Sequence, residues 1–175
     1  MQIGEKAPTF NLPNVDGSTV SLDDLLARNK ATVVIFSCNH CPYVRGWEDR
    51  MSSIQADYAD KGVQLVAVGP NNDVTHPEDS FENMKKRYKE LGFNFFYVRD
   101  ESQEVARAYQ AQRTPEVFLL DSAGVVRYHG AIDDNYQDPE VVKHHYLRDA
   151  LDAVLAGKTP AVTQTPPVGC TIKWK

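Results

Sequence analysis

Residues 32–42 read Thr-Val-Val-Ile-Phe-Ser-Cys-Asn-His-Cys-Pro, and both the predicted fold and the predicted chemistry depend on them. The first five of these residues are apolar or β-branched, which predicts a buried strand. Downstream, apolar side chains recur at alternating spacings of three and four residues and define one face of a helix. They are Val44, Trp47, Met51, Ile54 and Tyr58. Cys38 and Cys41 therefore lie where a strand ends and a helix begins.

Cys38 and Cys41 form a CxxC pair, and the two intervening residues, Asn39 and His40, let the two sulfurs meet across one helical turn. The free N–H groups and the positive dipole at a helix N-terminus favour a thiolate there. Cys38 is the expected nucleophile because it projects ahead of the helix, and Cys41 is expected to attack the resulting mixed disulfide. His40 fits two interpretations equally well: a charge that lowers the thiol pKa, or an exposed loop histidine.

The same CxxC spacing also occurs as half of a zinc site. No second CxxC and no paired-histidine motif follows it, and the other candidate ligands are scattered along the chain. They are His76, His129, His144, His145 and Cys170. We therefore expect no metal and no cofactor, and the CxxC beside a β-α-β pattern favours redox chemistry.

A second candidate feature is the run Arg113-Thr114-Pro115, which immediately precedes a predicted strand over residues 116–120. Proline is tolerated at the start of a strand, and the bond before proline adopts the cis form at low energetic cost. Arg113 is equally compatible with a surface charge and with contact to an anion.

Short apolar runs alternate with helical patterns along the rest of the chain, which predicts an α/β fold. A hairpin over residues 10–22 is expected ahead of the main fold. One helix is expected to begin at Thr75, where Glu78 completes a capping box, and the last helix at Asp138-Pro139.

One domain is expected over residues 1–157, and residues 158–175 are expected to form an extended tail that packs on it. Near the end of the tail, apolar side chains alternate with polar ones or glycine, which predicts that they share one buried face. They are Val168, Cys170, Ile172 and Trp174. Cys170 fits a packed residue better than a catalytic one, and it stays a candidate for an additional redox role.

The composition excludes several classes of protein. Lysine and arginine total 19 against 24 acidic residues, so the net charge is −5 and general nucleic-acid binding is not expected. Three cysteines are too few for a disulfide-stapled miniprotein. The apolar runs are strand-sized and no apolar leader follows the first residues, so we expect no membrane partner and a cytoplasmic location.

The order of these features resembles the thioredoxin superfamily: strand, CxxC at a helix start, strand, helix, Thr-Pro before a β-hairpin, final helix. Residues 4–12 are similar to the opening of its peroxiredoxin (AhpC/TSA) and TlpA-like branch, and residues 39–44 and 170–174 resemble a peroxiredoxin-like subgroup with a CxxC. The resemblance implies a thioredoxin-like fold, that is, a mixed central sheet flanked by helices, with an N-terminal β-hairpin and a C-terminal extension. It also implies a cis Thr114–Pro115 bond opposite the two cysteines.

Two departures from these families bear on activity. Thioredoxins usually carry tryptophan before the first cysteine and Gly-Pro between the pair, whereas this chain has Ser37 and Asn39-His40. Peroxiredoxins resemble the chain at Cys41, but they carry threonine three residues earlier, where this chain has Cys38, and proline seven residues earlier, where it has Val34. The hydroxyl that orients peroxide is therefore missing, which argues against efficient peroxidase activity.

The first hypothesis is a thiol–disulfide oxidoreductase in cell redox homeostasis, acting on a protein or small-molecule disulfide with a separate reductant or oxidant partner. The alternative is a peroxidase that reduces hydroperoxides through Cys41, with Cys38 or Cys170 resolving the sulfenic acid. The third is a metal-binding or non-catalytic redox-sensing module. The oligomeric state is left open. The residues expected to support the two cysteines are Asn39, His40, Arg113, Thr114 and Pro115.

Overall fold

The computed structural model describes all residues from 1 to 175. Its strands are β1 (Asn11–Pro13), β2 (Thr19–Ser21), β3 (Ala31–Phe36), β4 (Val63–Gly69), β5 (Phe96–Arg99), β6 (Arg113–Thr114), β7 (Glu116–Asp121), β8 (Val126–Gly130) and β9 (Cys170–Thr171). Its helices are α1 (Leu22–Arg28), α2 (Pro42–Tyr58), α3 (Phe81–Leu91), α4 (Glu104–Ala108) and α5 (Tyr146–Leu155). None of these helices combines the length with the apolar character that crossing a bilayer requires.

The central sheet has five strands in the order β5-β4-β3-β7-β8. β3, β4 and β5 run parallel, whereas β7 and β8 are antiparallel to their neighbours, so the sheet is mixed as expected. β3 lies in the middle, and all six of its residues are buried. A strand covered on both faces has no solvent side, which explains its unbroken apolar run.

The side chains of β3 alternate between two cores. Ala31, Val33 and Ile35 belong to the core formed with α2 and α5, and Val34 and Phe36 belong to the core on the other face of the sheet, with α1 and α4. The predicted N-terminal hairpin is confirmed, since β1 pairs antiparallel with β2. The two cores fix the end of β3 and therefore the residues that follow it.

The helix predicted to begin at Thr75 begins later, so that prediction is wrong. Pro77–Asp79 forms a separate 3-10 turn, and α3 starts at Phe81 with Ser80 as its N-cap, whose hydroxyl accepts from the Asn83 N–H. The Asp79 carboxylate is buried and accepts from the Asn39 N–H. The Asp79 side chain is thus held by the CxxC loop, and α3 begins only after the Ser80 cap.

The start predicted for the last helix is also wrong. Asp138 caps only the 3-10 turn Pro139–Val141, and α5 begins at Tyr146. The carboxylate of Asp134 accepts from the Lys143 and His144 N–H groups, at 3.0 and 3.2 Å. These hydrogen bonds place the intervening backbone outside a helix.

Residues 158–175 cross the domain and pair with strands at two places, one in the central sheet and one at β6. Gln164 forms a parallel bridge with His129 of β8, and β9 pairs antiparallel with β6. The prediction of a single buried face is wrong: Ile172 is buried, but Trp174 is 38% exposed and Val168 42% exposed. The Trp174 ring instead lies against the Arg107 guanidinium, 4.5 Å away.

Candidate active site

The site begins at the junction between β3 and α2. After Phe36 the chain leaves the sheet, and Cys41 forms the N-cap of α2 with an extended backbone, so that Pro42 occupies the first helical turn. Proline is suited to that position because its missing N–H would have no helical partner. The free N–H groups at the start of this 17-residue helix therefore lie next to Cys41.

Cys41 is fully buried, and its sulfur has two close neighbours. The Sγ atom lies 2.7 Å from Cys170 Sγ and 3.4 Å from the Thr114 carbonyl oxygen. Hydrogen bonding from Cys38, and then from Cys170 and the Val44 N–H, lowers the pKa of Cys41 to about 5 against the opposing effect of burial. This shift favours ionisation of Cys41 over that of an ordinary cysteine.

The pKa of Cys38 is shifted in the opposite direction. Donation to the Cys41 sulfur, burial and the negative charge of Asp79 all raise the pKa of Cys38. Its Sγ atom lies 3.5 Å from the Thr114 hydroxyl, and the residue is 3% exposed. The two shifts favour Cys41 as the group that ionises first, whereas the sequence favours Cys38 as the nucleophile.

The residues between the cysteines are tied to a buried carboxylate. His40 Nδ1 lies 2.6 Å from Asp79 Oδ2, and the Asn39 N–H donates to Asp79 Oδ1 at 2.8 Å. The Asn39 side chain donates to the Glu78 carbonyl oxygen and accepts from the Tyr97 hydroxyl. These contacts orient the loop, and they direct His40 toward Asp79.

Cys38, His40 and Asp79 bring three ligand-type atoms within 4.8 Å of one another. A thiolate, an imidazole and a carboxylate are a donor set that zinc accepts. In the structure, both oxygens of Asp79 already accept hydrogen bonds, from the Asn39 N–H and the Asn71 amide. The arrangement observed therefore serves to hold the CxxC loop.

The Thr114–Pro115 run lies against both cysteines, and its peptide bond is cis. Thr114 is fully buried and offers its carbonyl to Cys41 and its hydroxyl to Cys38. Arg113 is exposed, and its guanidinium donates to the Gly169 carbonyl at 3.2 Å. Of the two interpretations that the sequence leaves open for Arg113, the structure shows an exposed charge that contacts the tail.

The tail completes the site. In the β6–β9 ladder, Thr114 pairs with Cys170 and Arg113 with Thr171, which brings Cys170 to Cys41. Cys170 is partly exposed. Burial and the neighbouring Cys41 thiolate raise the pKa of Cys170 to about 11. The sequence names Cys170 as a candidate, but the spacing of the tail contains no signal for its contact with Cys41.

Comparison with known proteins identifies the family of the chain. Residues 3–129 match the AhpC/TSA family. The chain belongs to the AhpC/TSA family. The match covers β1 to β7 and all but the last residue of β8, including the CxxC and the Thr-Pro run, and the tail with Cys170 lies beyond it.

Relatives of this AhpC/TSA protein include two kinds of oxidoreductase. The putative peroxiredoxin bcp of Helicobacter pylori is 25% identical over 73% of the chain and 78% of the relative. The thiol-disulfide oxidoreductase ResA of Bacillus thuringiensis is 27% identical over 72% of the chain and 68% of the relative. At the level of the family, the chain is an oxidoreductase that uses thiol chemistry.

Solved structures extend the likeness to the tail. An uncharacterized conserved protein from Geobacillus kaustophilus is 43% identical, with a TM-score of 0.93 over 99% of this chain and 93% of its own. The thioredoxin domain of a thiol-disulfide oxidoreductase from Bacteroides vulgatus is 22% identical, with a TM-score of 0.61 over 72% of this chain and 86% of its own. The thioredoxin-like fold expected from the sequence is confirmed.

Two site residues of this AhpC/TSA protein are missed by sequence reasoning. Asp79 has no periodic or motif signal, because its partners in the CxxC loop are distant in the chain. Glu116 has a weak one, as an acid at the start of an apolar strand. Its buried carboxylate accepts from the Gln112 and Arg113 N–H groups and pairs with His129, so it fixes the backbone before Pro115.

Proposed function

We propose that the chain is a thiol–disulfide oxidoreductase in which Cys38 and Cys41 alternate between dithiol and disulfide. The observation that carries the proposal is the placement of the pair: Cys41 caps α2, and both cysteine sulfurs lie against Thr114, directly before Pro115. A thiolate is the species that attacks a disulfide, and a neighbouring thiol is needed to release the product. The thiol-disulfide oxidoreductase ResA among the relatives supports the same chemistry.

The reaction transfers two electrons from the protein to a substrate disulfide. One cysteine thiolate attacks a substrate sulfur, which forms a mixed disulfide and releases the first substrate thiolate. The other cysteine then attacks the protein sulfur of that bond, which forms the Cys38–Cys41 disulfide and releases the second thiolate. A separate thiol donor reduces the protein again, and a cytoplasmic donor in cell redox homeostasis fits the sequence prediction.

The order of attack separates two versions of the mechanism. The sequence assigns the first attack to Cys38, and the low pKa of Cys41 favours Cys41. In a Cys170→Ser background, the variant that lacks the resolving cysteine accumulates the mixed disulfide on the attacking one. Accumulation on Cys41 in Cys38→Ser supports attack by Cys41, and accumulation on Cys38 in Cys41→Ser supports attack by Cys38.

The function itself is tested by turnover of a protein disulfide such as that of insulin, with a small dithiol as electron donor. Cys170→Ser leaves only the CxxC and is expected to turn over, whereas adding Cys38→Ser or Cys41→Ser lowers the rate by about a hundredfold or more. Leu91→Ser, half-exposed at the end of α3, is the matched control. Turnover that survives loss of both CxxC cysteines contradicts the proposal.

A second candidate function is reduction of hydroperoxides, which the lowered pKa of Cys41 and the peroxiredoxin bcp relative favour. The Cys41 thiolate would attack ROOH to give a sulfenic acid and release ROH after protonation. Cys38 would then form the disulfide with loss of water. Consumption of hydrogen peroxide that depends on Cys41 supports this function, and no consumption with a thiol donor present excludes it.

A further inference from the structure

The three thiols of the chain meet at one point, but they differ in their access to solvent. Cys41 is 0% exposed and Cys38 3% exposed, whereas Cys170 is partly exposed. Cys41 packs with both of the others: its sulfur is 2.7 Å from Cys170 Sγ, and Cys38 belongs to the same small buried cluster. A covalent S–S bond measures about 2.05 Å, so Cys41 and Cys170 need only a small movement to bond.

Hydrogen bonds after Cys170 hold the tail at this position. The Ile172 N–H donates to the Gln112 carbonyl at 2.9 Å, and the Ile172 side chain is buried. The Lys173 N–H donates to the Asn71 side chain, and the Lys173 carbonyl accepts from the Asn72 N–H at 2.8 Å. The tail is therefore docked without any disulfide.

The residue before Cys170 is shaped for the same approach. A Cβ atom on Gly169 would lie 2.2 Å from the Thr114 carbonyl oxygen, so only glycine lets the tail backbone come this close. The Gly169 carbonyl in turn accepts from Arg113. Close backbone contact on one side and hydrogen bonds on the other orient the Cys170 side chain toward Cys41.

We propose that Cys170 is a third redox-active cysteine, which exchanges with Cys38 as the disulfide partner of Cys41. The inference builds on the proposed Cys38–Cys41 couple. The Cys170 thiolate attacks Cys41 Sγ; the Cys41–Cys170 bond forms and the Cys38–Cys41 bond breaks. Cys38 leaves as a thiolate and takes up the proton that Cys170 lost. No net oxidation occurs, so the step needs no further reagent.

The exchange changes which part of the protein holds the oxidising equivalent. With the Cys38–Cys41 bond, both oxidised sulfurs are buried under the tail. With the Cys41–Cys170 bond, one oxidised sulfur belongs to a partly exposed residue of the tail, and Cys38 is a free thiol. The tail thus gives the buried pair a connection to the surface.

The test is disulfide mapping of the full chain after oxidation with one equivalent of diamide, which takes two electrons and two protons from two thiols. Free thiols are trapped with N-ethylmaleimide, and peptides are identified by mass spectrometry. Cys38→Ser is expected to form the Cys41–Cys170 disulfide, Cys170→Ser the Cys38–Cys41 disulfide, and the wild type both. A Cys38→Ser protein that forms no intramolecular disulfide overturns the proposal.

A second variant separates the thiol from its placement. In the Cys38→Ser background, Gly169→Val keeps Cys170 but pushes the tail from Thr114, and it is expected to slow formation of the Cys41–Cys170 bond by about tenfold or more. Val168→Ala, at the exposed neighbouring position, is the matched control. Equal rates for Gly169→Val and the control mean that the docked ladder does not guide the bond, which also overturns the proposal.

The two proposals fail separately. If the mapping shows Cys41–Cys170 but no protein disulfide is turned over, the oxidoreductase function fails and the exchange stands. If insulin is turned over through the CxxC but Cys170 never pairs with Cys41, the exchange fails and the function stands.

Discussion

The β3–α2 junction and the C-terminal tail each bring a cysteine to the same point by different means. At the junction, Cys41 follows a fully buried central strand and caps a 17-residue helix, so both cores of the protein fix its position. In the tail, Cys170 belongs to a two-residue strand at the edge of the fold, held mainly by backbone hydrogen bonds. The first cysteine depends on global stability, and we expect the second to depend on the local stability of the tail.

The two regions should differ most in the ionisation of their thiols. The pKa of Cys41 is lowered to about 5 and that of Cys170 raised to about 11, from an ordinary value of 9.0. Thiolate absorbance of the reduced protein is expected to show a step near pH 5 that is absent in Cys41→Ser. In Cys38→Ser the step should move to higher pH, because the main donor is lost. A wild-type protein without a step below neutrality contradicts this assignment.

The same pKa shifts predict opposite effects on the stability of the reduced protein. Because Cys41 has a lowered pKa when folded, its contribution grows as pH rises from about 5 to 9 and is lost as pH falls through 5. Because Cys170 has a raised pKa when folded, its contribution is complete below about 9 and is lost as pH rises toward 11. Denaturant unfolding across pH, compared between the wild type and each Cys→Ser variant, measures the two effects.

Truncation at the junction should destabilise the whole domain. Phe36 is fully buried at the end of β3 and packs against Tyr109 and Phe118. Phe36→Ala is expected to lower the free energy of unfolding by about 3–5 kcal/mol. Val74→Ala, at a position 82% exposed, should stay within about 0.5 kcal/mol of the wild type. Equal effects of the two variants in urea unfolding would show that the junction is not part of the cooperative core.

Truncation in the tail should act locally. Ile172 directly follows β9, and its side chain is buried, whereas Val168 and Trp174 are exposed. Ile172→Ala is expected to lower the free energy of tail docking by about 2 kcal/mol. Hydrogen exchange at the Ile172 N–H and alkylation of Cys170 should accelerate while global unfolding changes less than in Phe36→Ala. A global loss as large as that of Phe36→Ala would mean that tail and core unfold as one unit.

The smallest effect is expected from Arg113→Gln. The guanidinium is exposed, and its hydrogen bond to Gly169 competes with water. Loss of that bond should lower the free energy of tail docking by about 0.5–1 kcal/mol. The rate of Cys170 alkylation should therefore rise by a factor of about two to five. An unchanged rate would show that Arg113 does not contribute to docking of the tail.

The sequence reveals the junction because every signal there is local. The apolar run of β3, the CxxC, Pro42 and the helical face lie within one continuous stretch, and the order of later elements then indicates the sheet. The tail is different, because an alternating pattern shows an extended segment but not the strand with which it pairs. Pairing of Thr114 with Cys170 is a long-range contact, and no residue near Cys170 encodes its partner.

Contacts that the local sequence does not show also explain the two wrong helix starts and the failure of the sequence to indicate Asp79. Thr75 and Glu78 have the spacing of a capping box, but Asp79 is engaged by the CxxC loop and α3 begins after it. Asp134 likewise takes the N–H groups that would otherwise begin the last helix. In each case a carboxylate binds backbone donors from another part of the chain, which local spacing does not show.

Because the tail docks beside Pro115, it competes with any other polypeptide that binds next to Cys41. The tail is joined to the domain through the short stretch between Leu155 of α5 and Gln164, which bridges to β8. A ligand tethered by a short connection has an effective concentration on the order of millimolar. A free partner present at micromolar concentration must therefore bind this edge about a thousandfold more tightly than the tail does, or arrive when the tail has dissociated. Under the proposed function, the apparent affinity for a protein disulfide is therefore expected to depend partly on these last eight residues.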